Sequence, residues 1–349
     1  MIKVLLDTSP LENANSIRGV GSYTRHLAQS LKDNRKIDLK LSYELNATDF
    51  SPEIIHYPFF DLFFATLPIK RHVKTIVTVH DLIPLVFPDH YKPGKRGIIR
   101  YLRQKIALKK VDAIIADSES SKKDIVKFLG INEQKVHVVY LAANPGLKSA
   151  DKSAQLRITR KLALPKNYIM YVGDINYNKN LPQLIKCLKF LPPTIKLVCV
   201  GSNFKPQKID EWKAIETQIA LSDVSSRVKF YTDIDKNDLE SLSAIYSGAI
   251  CYVQPSLYEG FGLPVLEAMQ CKTPVVSTRN SSLIEVGGEN VLFTDENAES
   301  IALAVEEVTS WSTQKRAKWL AKAYQWSQNF SWRKVARDTI NVYEKVCRK

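Results

Sequence analysis

Two carboxylates, Glu259 and Glu267, flank a Gly-Phe-Gly turn in the stretch PSLYEGFGLPVLE at 255–267. Glycines let a backbone approach a ligand closely, and the amino end of a helix attracts anions. Pro264 suits the first helical position, where its missing N–H costs nothing. Carboxylates cannot hold a phosphate, so they are there for another partner. Lys179 closes the polar loop INYNKN after the apolar run YIMYVGD, at the entrance of a helix pattern. A cation at that position is unfavourable unless an anion joins it. His80 and Asp81 are polar residues at the end of KTIVTVHD, a run that should otherwise be buried; a structural and a catalytic histidine are both open readings. Gly19 and Gly21 in SIRGVGSYTRHLAQSL precede a helix pattern, and a GxG there fits a tight turn as well as a phosphate cradle.

These residues share a position: each follows a short β-branched run. IKVLLD, KTIVTVHD, DAIIADS and VHVVYL in the first half, and YIMYVGD, IKLVCVGS, RVKFYTD, AICYVQPS and PVVSTR in the second, read as strands. Between them lie helix patterns such as LPQLIKCLKFL, with Leu181, Leu184, Ile185, Leu188 and Leu191 at helical spacing. The alternation predicts an α/β protein with parallel sheets, in which ligands collect beyond the carboxyl ends of strands. A chain of 349 residues exceeds one ordinary core. The strand-poor stretch from Gly146 to Lys166 places the boundary, with domains at 1–150 and 151–330. The segment IIHYPFFDLFFATLP (54–68) carries five aromatics and reads as a loop, packed in the core or partly exposed to sugar rings or lipid.

The net charge of +14 is unevenly divided: residues 1–165 carry 27 basic and 16 acidic side chains, residues 166–349 carry 23 and 20. YKPGKRGIIRYLRQKIALKK (91–110) holds eight basic residues and no acidic one. As a helix it has an apolar face of Ile98, Ile99, Leu102 and Ile106 and a basic stripe of Arg96, Arg100, Arg103 and Lys110. A solvated face and a surface for anionic lipid or a phosphorylated acceptor are both compatible with it. Nucleic-acid binding is disfavoured, because the basic run lacks interleaved aromatics. The five cysteines have no metal-ligand spacing and read as reduced core thiols of a cytosolic protein. The start MIKVLLDTSP reads as a strand rather than a signal peptide, and no run of about 18 apolar residues exists to span a bilayer.

The block SLYEGFGLPVLEAMQCKTPVVSTRNSSLIEVGG resembles the nucleotide-sugar signature of the retaining GT-B glycosyltransferases of group 1, often called family 4. RGVGSYTRHL, TVHDLIPLVFP, SESSKKDI, YVGDINYNKNLPQLI and NFSWRKVARDTINVYEKV follow in the order that family uses, so the resemblance spans nearly the whole chain. It implies two Rossmann-like α/β domains facing a cleft, an acceptor domain at 1–150, a nucleotide-sugar domain at 151–330 and a C-terminal helix at 331–349 crossing back to the first domain. It also implies that Glu267 accepts hydrogen bonds from the ribose hydroxyls and that Glu259 lies on the sugar side. The amides of Gly260, Phe261, Gly262 and Leu263, with Gly19, Gly21 and Gly173, would approach the sugar and diphosphate. Catalysis would rest on stabilising the departing nucleoside diphosphate, with Lys179 as the main cation and Glu259, His80 and Asp81 beside it.

Asp174 stands where many members of that family carry arginine, which opens a second reading as a non-catalytic sugar-nucleotide-binding or scaffold subunit. The DxD run Asp233-Ile234-Asp235 reads as an N-cap at Asp235 before KNDLESLSAIY, so the expectation is metal-independent chemistry with no cofactor beyond the donor. The bacterial mannosyltransferases of surface-polysaccharide assembly are the nearest in kind, which favours GDP-mannose over a UDP-hexose. The implied partners are a nucleotide sugar, a glycan or lipid-linked acceptor and an anionic membrane at the cytoplasmic face, touched through Arg96, Arg100 and Arg103.

Overall fold

Runs rich in Val, Ile and Leu bury both faces when helices cover both sides of a parallel sheet, and two such sheets organise this chain. The computed structural model describes residues 1–12, 16, 19–32, 34–44, 50–235 and 237–348. Ile17 and Arg18 of the glycine-bearing stretch, and Lys236 of the expected KNDLESLSAIY helix, lie outside the described residues. The first sheet contains β1 (Ile2–Asp7), β2 (Ile37–Ser42), β3 (Ile54–Tyr57), β4 (Lys74–Val79), β5 (Ala113–Ala116) and β6 (Val136–Val138), in the parallel order β2-β1-β3-β4-β5-β6. The second contains β7 (Tyr168–Val172), β8 (Lys196–Val200), β9 (Val228–Tyr231), β10 (Tyr252–Gln254), β11 (Val275–Thr278) and β12 (Leu292–Thr294), in the parallel order β12-β11-β10-β7-β8-β9. Leu5, Leu6, Ile76, Val77 and Ile114 in one core, and Ile169, Tyr171, Leu197, Val253 and Val276 in the other, are fully buried.

Three strands depart from the sequence expectation. IDLKLS forms β2 although it alternates with polar residues, because it is an edge strand exposed on one side. IIHY, expected in a loop, forms β3 between β1 and β4, and Pro58 ends it. LFT forms β12 as a three-residue edge, too short to show a period.

The helices are α1 (Gly19–Leu31), α2 (Ile83–Val86), α3 (Lys95–Lys109), α4 (Glu119–Leu129), α5 (Lys152–Leu162), α6 (Leu181–Cys187), α7 (Asp210–Ser222), α8 (Leu239–Gly248), α9 (Leu263–Gln270), α10 (Leu283–Gly287), α11 (Ala298–Ser310), α12 (Thr313–Ser327) and α13 (Trp332–Arg348). Leu181, Leu184, Ile185, Leu188 and Leu191 are all buried, as their spacing predicts. The cap of α8 is Asp238, which accepts from Ser241 N and Ser241 Oγ, rather than the expected Asp235. Asp235 instead caps a turn upstream, accepting from Asn237 N at 2.7 Å. Among the described residues no helix is long and apolar enough to cross a membrane.

Contacts divide the chain into Met1–Ala142 with Phe330–Lys349, and Ala143–Asn329. The division falls ahead of the expected residue 150, because Lys148 N and Ala150 N bond to Ser243 and Ser247 of α8. The C-terminal helix α13 belongs to the first unit. It buries Val335, Ile340 and Tyr343, stacks Trp332 on His26 of α1 at 5.0 Å, and its carbonyls at Val346 and Cys347 accept from Lys74 Nζ.

Candidate functional site

Strand order fixes where each unit can hold a ligand. In the second sheet the crossovers reverse direction between β7 and β10, which opens a crevice beyond their carboxyl ends. Gly173 follows β7, and Pro255 to Glu259 follow β10. Gly173 has φ +150°, and a Cβ there would sit 2.7 Å from the Tyr171 hydroxyl, so the chain can leave β7 this way only as glycine. The two loops are stitched together. Asn178 Nδ2 donates to Tyr258 O, Leu257 N donates to Asn178 O, and Asn180 Nδ2 donates to Pro255 O and Glu296 O.

This stitching sets Lys179 against Glu259, 80 residues away in sequence. Lys179 Nζ lies 2.8 Å from Glu259 Oε1 and 2.9 Å from Oε2. Oε1 also accepts from Ser256 Oγ at 2.6 Å and Gln254 Nε2 at 2.9 Å, and Gln254 is held in turn by the Tyr252 hydroxyl. The Glu259 side chain is 8% exposed and that of Lys179 19%. The pair is therefore nearly buried, with the carboxylate held by several donors and the ammonium reaching outward. Ser282 Oγ fixes the Glu259 and Phe261 carbonyls, and Glu259 N donates to Ser281 Oγ. Gly262 caps α9 at φ +101°, where a Cβ would meet Leu283 at 2.8 Å. Leu263 begins the helix and Pro264 follows, one position later than expected. No side chain caps α9 and no acidic residue stands in its first turn, so the amide end favours an anion.

Glu267 lies on the second turn of α9. Its Oε2 accepts from the Tyr246 hydroxyl at 3.0 Å. Burial raises the Glu267 pKa, and the Tyr246 hydrogen bond only partly opposes this. Burial also holds the Tyr246 hydroxyl well above its ordinary value, so it remains a donor. Asp174 is exposed, its Oδ1 accepts from Asn203 Nδ2 at 3.1 Å, and its carbonyl accepts from the Tyr171 hydroxyl. Gly173, Lys179, Glu259 to Leu263 and Glu267 all belong to this second unit.

In the first unit the reversal falls between β1 and β3. Gly19 and Gly21 do not form a turn ahead of the helix as expected: they are the first and third residues of α1, with Gly21 buried, and Tyr23 of that helix sets its ring edge-on to His80 at 4.8 Å. His80 Nδ1 lies 2.7 Å from Asp117 Oδ2, and Nε2 lies 3.1 Å from Pro58 O. The Pro58 carbonyl can only accept, and an ionised Asp117 only accepts, so a doubly protonated ring would satisfy both contacts. Burial alone would lower the His80 pKa, but the Asp117 charge and hydrogen bond outweigh it and leave it raised. Asp81 Oδ1 accepts from Ile83 N at the start of α2. Behind His80 a buried polar chain runs from the Tyr23 hydroxyl through Thr78 Oγ1 and His56 to the Tyr343 hydroxyl. Burial pushes the His56 pKa down to about 3, so this second histidine is neutral.

Arg96, Arg100 and Arg103 lie exposed on α3. The face of Ile98, Ile99, Leu102 and Ile106 does not pack into the core. α3 buries Gln104, Ala107 and Leu108 instead. Of the five aromatics at 57–64, all described, Phe64 is the exposed one at 62%. A cavity at the amino end of β4 is lined by Lys70, Arg71, Lys74 and Lys110 among others, and two of these cations, Arg71 and Lys74, donate to backbone carbonyls. Among the described residues no cluster of His, Cys, Asp and Glu could hold a metal ion. Cys187, Cys199, Cys251 and Cys271 are buried free thiols, and burial pushes Cys251 and Cys271 up to about 12.

Sequence reasoning missed Gln254, Ser256, Asn178, Asn180 and the serines Ser281 and Ser282. Asn280, Ser281 and Ser282 directly follow the run PVVSTR, so the rule of strand carboxyl ends could have found them.

Two families match this chain: the one described as Glycosyl transferases group 1 over residues 154–326, and Glycosyltransferase Family 4 over residues 11–146. The O-antigen chain mannosyltransferase B of Escherichia coli is 28% identical over 306 residues, covering 85% of this chain and 75% of that protein. The serotype-specific mannosyltransferase WbdA of Escherichia coli is 27% identical over 280 residues, 78% of this chain and 34% of that longer protein. The crystal structure of Anabaena HepE in complex with UDP and glucose superposes with a TM-score of 0.74 at 18% identity, over 99% of both chains, which establishes a shared fold.

Proposed function

Because the chain belongs to the group 1 glycosyltransferases of family 4 and has their GT-B fold, we propose that it transfers a mannosyl residue from GDP-mannose to a polysaccharide or lipid-linked glycan. The mannosyl assignment is supported by the mannosyltransferases among its relatives, and use of a nucleotide sugar by the HepE complex with UDP and glucose. The observation that carries the reading is Lys179, held at 2.8 Å and 2.9 Å by Glu259 at the crevice between β7 and β10.

An ammonium has three N–H donors, and one that faces a carboxylate through two contacts can offer its third to a diphosphate while the carboxylate keeps its counter-charge. Lys179 and the amide end of α9 then meet the charge that develops as the C1–O bond to the diphosphate breaks. The acceptor oxygen bonds to C1 from the face the diphosphate leaves, which retains configuration, and the acceptor proton passes to a departing phosphate oxygen. No base from the protein is required. Glu259 accepts from hexose hydroxyls. Glu267, oriented by Tyr246, accepts from the ribose diol, donors that match an acceptor-only group. Gly173 and Gly260 to Leu263 offer close backbone approach to the donor. His80, tied to Asp117 and Pro58 O, and Asp81, tied to Ile83 N, hold the turn after β4 in shape. The reaction is metal-independent, and the enzyme works at the cytoplasmic face of a membrane.

The test is to incubate the purified chain with GDP-mannose, UDP-glucose and UDP-galactose in turn, with a lipid-linked glycan extract, and to follow nucleotide release and product mass. Nucleotide release and a glycan gain of one hexose with GDP-mannose alone support the full reading. Transfer from a UDP-sugar alone would overturn the mannosyl assignment.

A further inference from the structure

Amphipathic helices on a folded protein normally turn their apolar arc inward. α3 does the reverse. At about 100° per residue, Ile98, Ile99, Leu102 and Ile106 fall in one arc, and Gln104, Ala107 and Leu108 fall in the opposite one. The second set is buried, while the first is 50%, 60%, 54% and 50% exposed. The inward side is specified by polar chemistry. Gln104 accepts from Thr66 N, Thr66 Oγ1 and Leu67 N and donates to Leu67 O, so the helix cannot roll over without abandoning these bonds. The outward isoleucines and leucine are thus fixed where water meets them.

The surroundings of this ridge state what covers it. Exposed Arg96 and Arg103 border one side of it, and exposed Lys95 and Lys109 stand at its ends. The guanidinium of Arg100, on the other side of the helix, lies 5.7 Å from the exposed ring of Phe64. Residues 91–110 contain eight basic side chains and no acidic one. A second copy of the chain would bring this all-basic face against itself, and an apolar protein groove would leave the arginines without partners. An anionic bilayer matches both features, because phosphates meet the flanking charges while the ridge enters the acyl boundary.

We propose that α3 is a membrane-docking helix that inserts the Ile98, Ile99, Leu102 and Ile106 ridge into an anionic lipid surface, with Lys95, Arg96, Arg103 and Lys109 at the headgroup level. Insertion goes beyond electrostatic attachment: salt screens the arginines but leaves the apolar part. The proposal rests on the reading of a lipid-linked acceptor only for its purpose. Its test needs neither donor nor acceptor, so its failure and the failure of the transferase reading are distinguishable.

The experiment is flotation of the full chain with vesicles of phosphatidylcholine alone and of equimolar phosphatidylglycerol and phosphatidylcholine, at low and high salt. Three proteins are compared: the parent, Arg96→Gln/Arg100→Gln/Arg103→Gln, and Ile99→Gln/Leu102→Gln. The substituted side chains are exposed, so folding is expected to survive, and circular dichroism checks it. The parent should float with the anionic vesicles and keep a measurable part of its binding at high salt. Both variants should bind at least about tenfold more weakly, the loss expected when charge or two large apolar side chains no longer contribute. In Leu102→Trp, tryptophan emission should shift to the blue on anionic vesicles and not on neutral ones. An isoleucine–leucine variant that floats like the parent overturns insertion, as does Leu102→Trp emission that vesicles leave unmoved. A parent that ignores anionic vesicles, or whose ridge variant differs only in self-association by sedimentation velocity, overturns the membrane as the occupant.

Discussion

The two units each place a nearly buried ion pair at the end of parallel strands, and the two pairs are built for different work. In the second unit, Glu259 is fixed by Ser256, Gln254 and Lys179, while the longer, three-donor partner points outward. In the first unit, both ring nitrogens of His80 are engaged, by Asp117 and by Pro58 O. Lys179 can offer a further donor to a phosphate while it stays paired with Glu259. His80 can engage a substrate only by breaking an internal bond. The difference separates a group poised to meet developing charge from one that holds a strand end in shape, although both are polar residues after a β-strand.

Lys179→Ala should break the comparison if it is wrong. The account expects a fall in kcat on the order of 100- to 1,000-fold, the scale of losing one preorganised donor to transition-state charge, beyond any rise in KM. Steady-state kinetics of the purified variant checks this. A normal kcat with a raised KM would reduce Lys179 to uniform binding.

Next in size is Asp117→Asn, which leaves a buried imidazole without its counter-charge and should cost about 2–3 kcal/mol of stability. The effect depends on pH. The folded His80 pKa is raised above its ordinary 6.5 by Asp117 against burial, so the pair's contribution is complete below 6.5 and is lost as pH rises through the raised value. Urea denaturation at about pH 6 and about pH 9 should show a larger gap between parent and variant at the lower pH. An equal gap at both would remove the imidazolium from the account.

Smallest is Glu267→Gln, which keeps the shape and weakens acceptance from the ribose diol, by about tenfold in donor affinity if one charge-assisted hydrogen bond is lost. Because burial raises the Glu267 pKa, affinity in the parent should fall as pH drops through that raised value, earlier than for an ordinary carboxyl group. Calorimetry across mildly acidic pH should find this dependence in the parent and not in the variant.

What the sequence made legible follows from what local pattern can encode. The buried runs IKVLLD, YIMYVGD and AICYVQPS announce themselves because both faces are apolar. IDLKLS and LFT do not, since an edge strand needs neither length nor a continuous apolar run. IIHY was hidden by the aromatic stretch that follows it. Lys179 and Glu259 were each visible from their settings, a cation at a helix entrance and a carboxylate beside glycines. Their contact was not, because it depends on the sheet order that sets β7 beside β10. Periodicity found the apolar arc of α3 and could not say which side of the helix the rest of the protein would cover. Gln104, a polar residue at a buried position, decided that.

Hydrogen exchange on the full chain, with and without a nucleoside diphosphate, tests most directly whether the lysine pair rather than the saturated histidine pair marks the donor site. Protection should concentrate in peptides spanning 173–180 and 255–267, and it should weaken there in Lys179→Ala. Protection confined to peptides around His80 and Asp117, with 173–180 and 255–267 unchanged, would contradict the account.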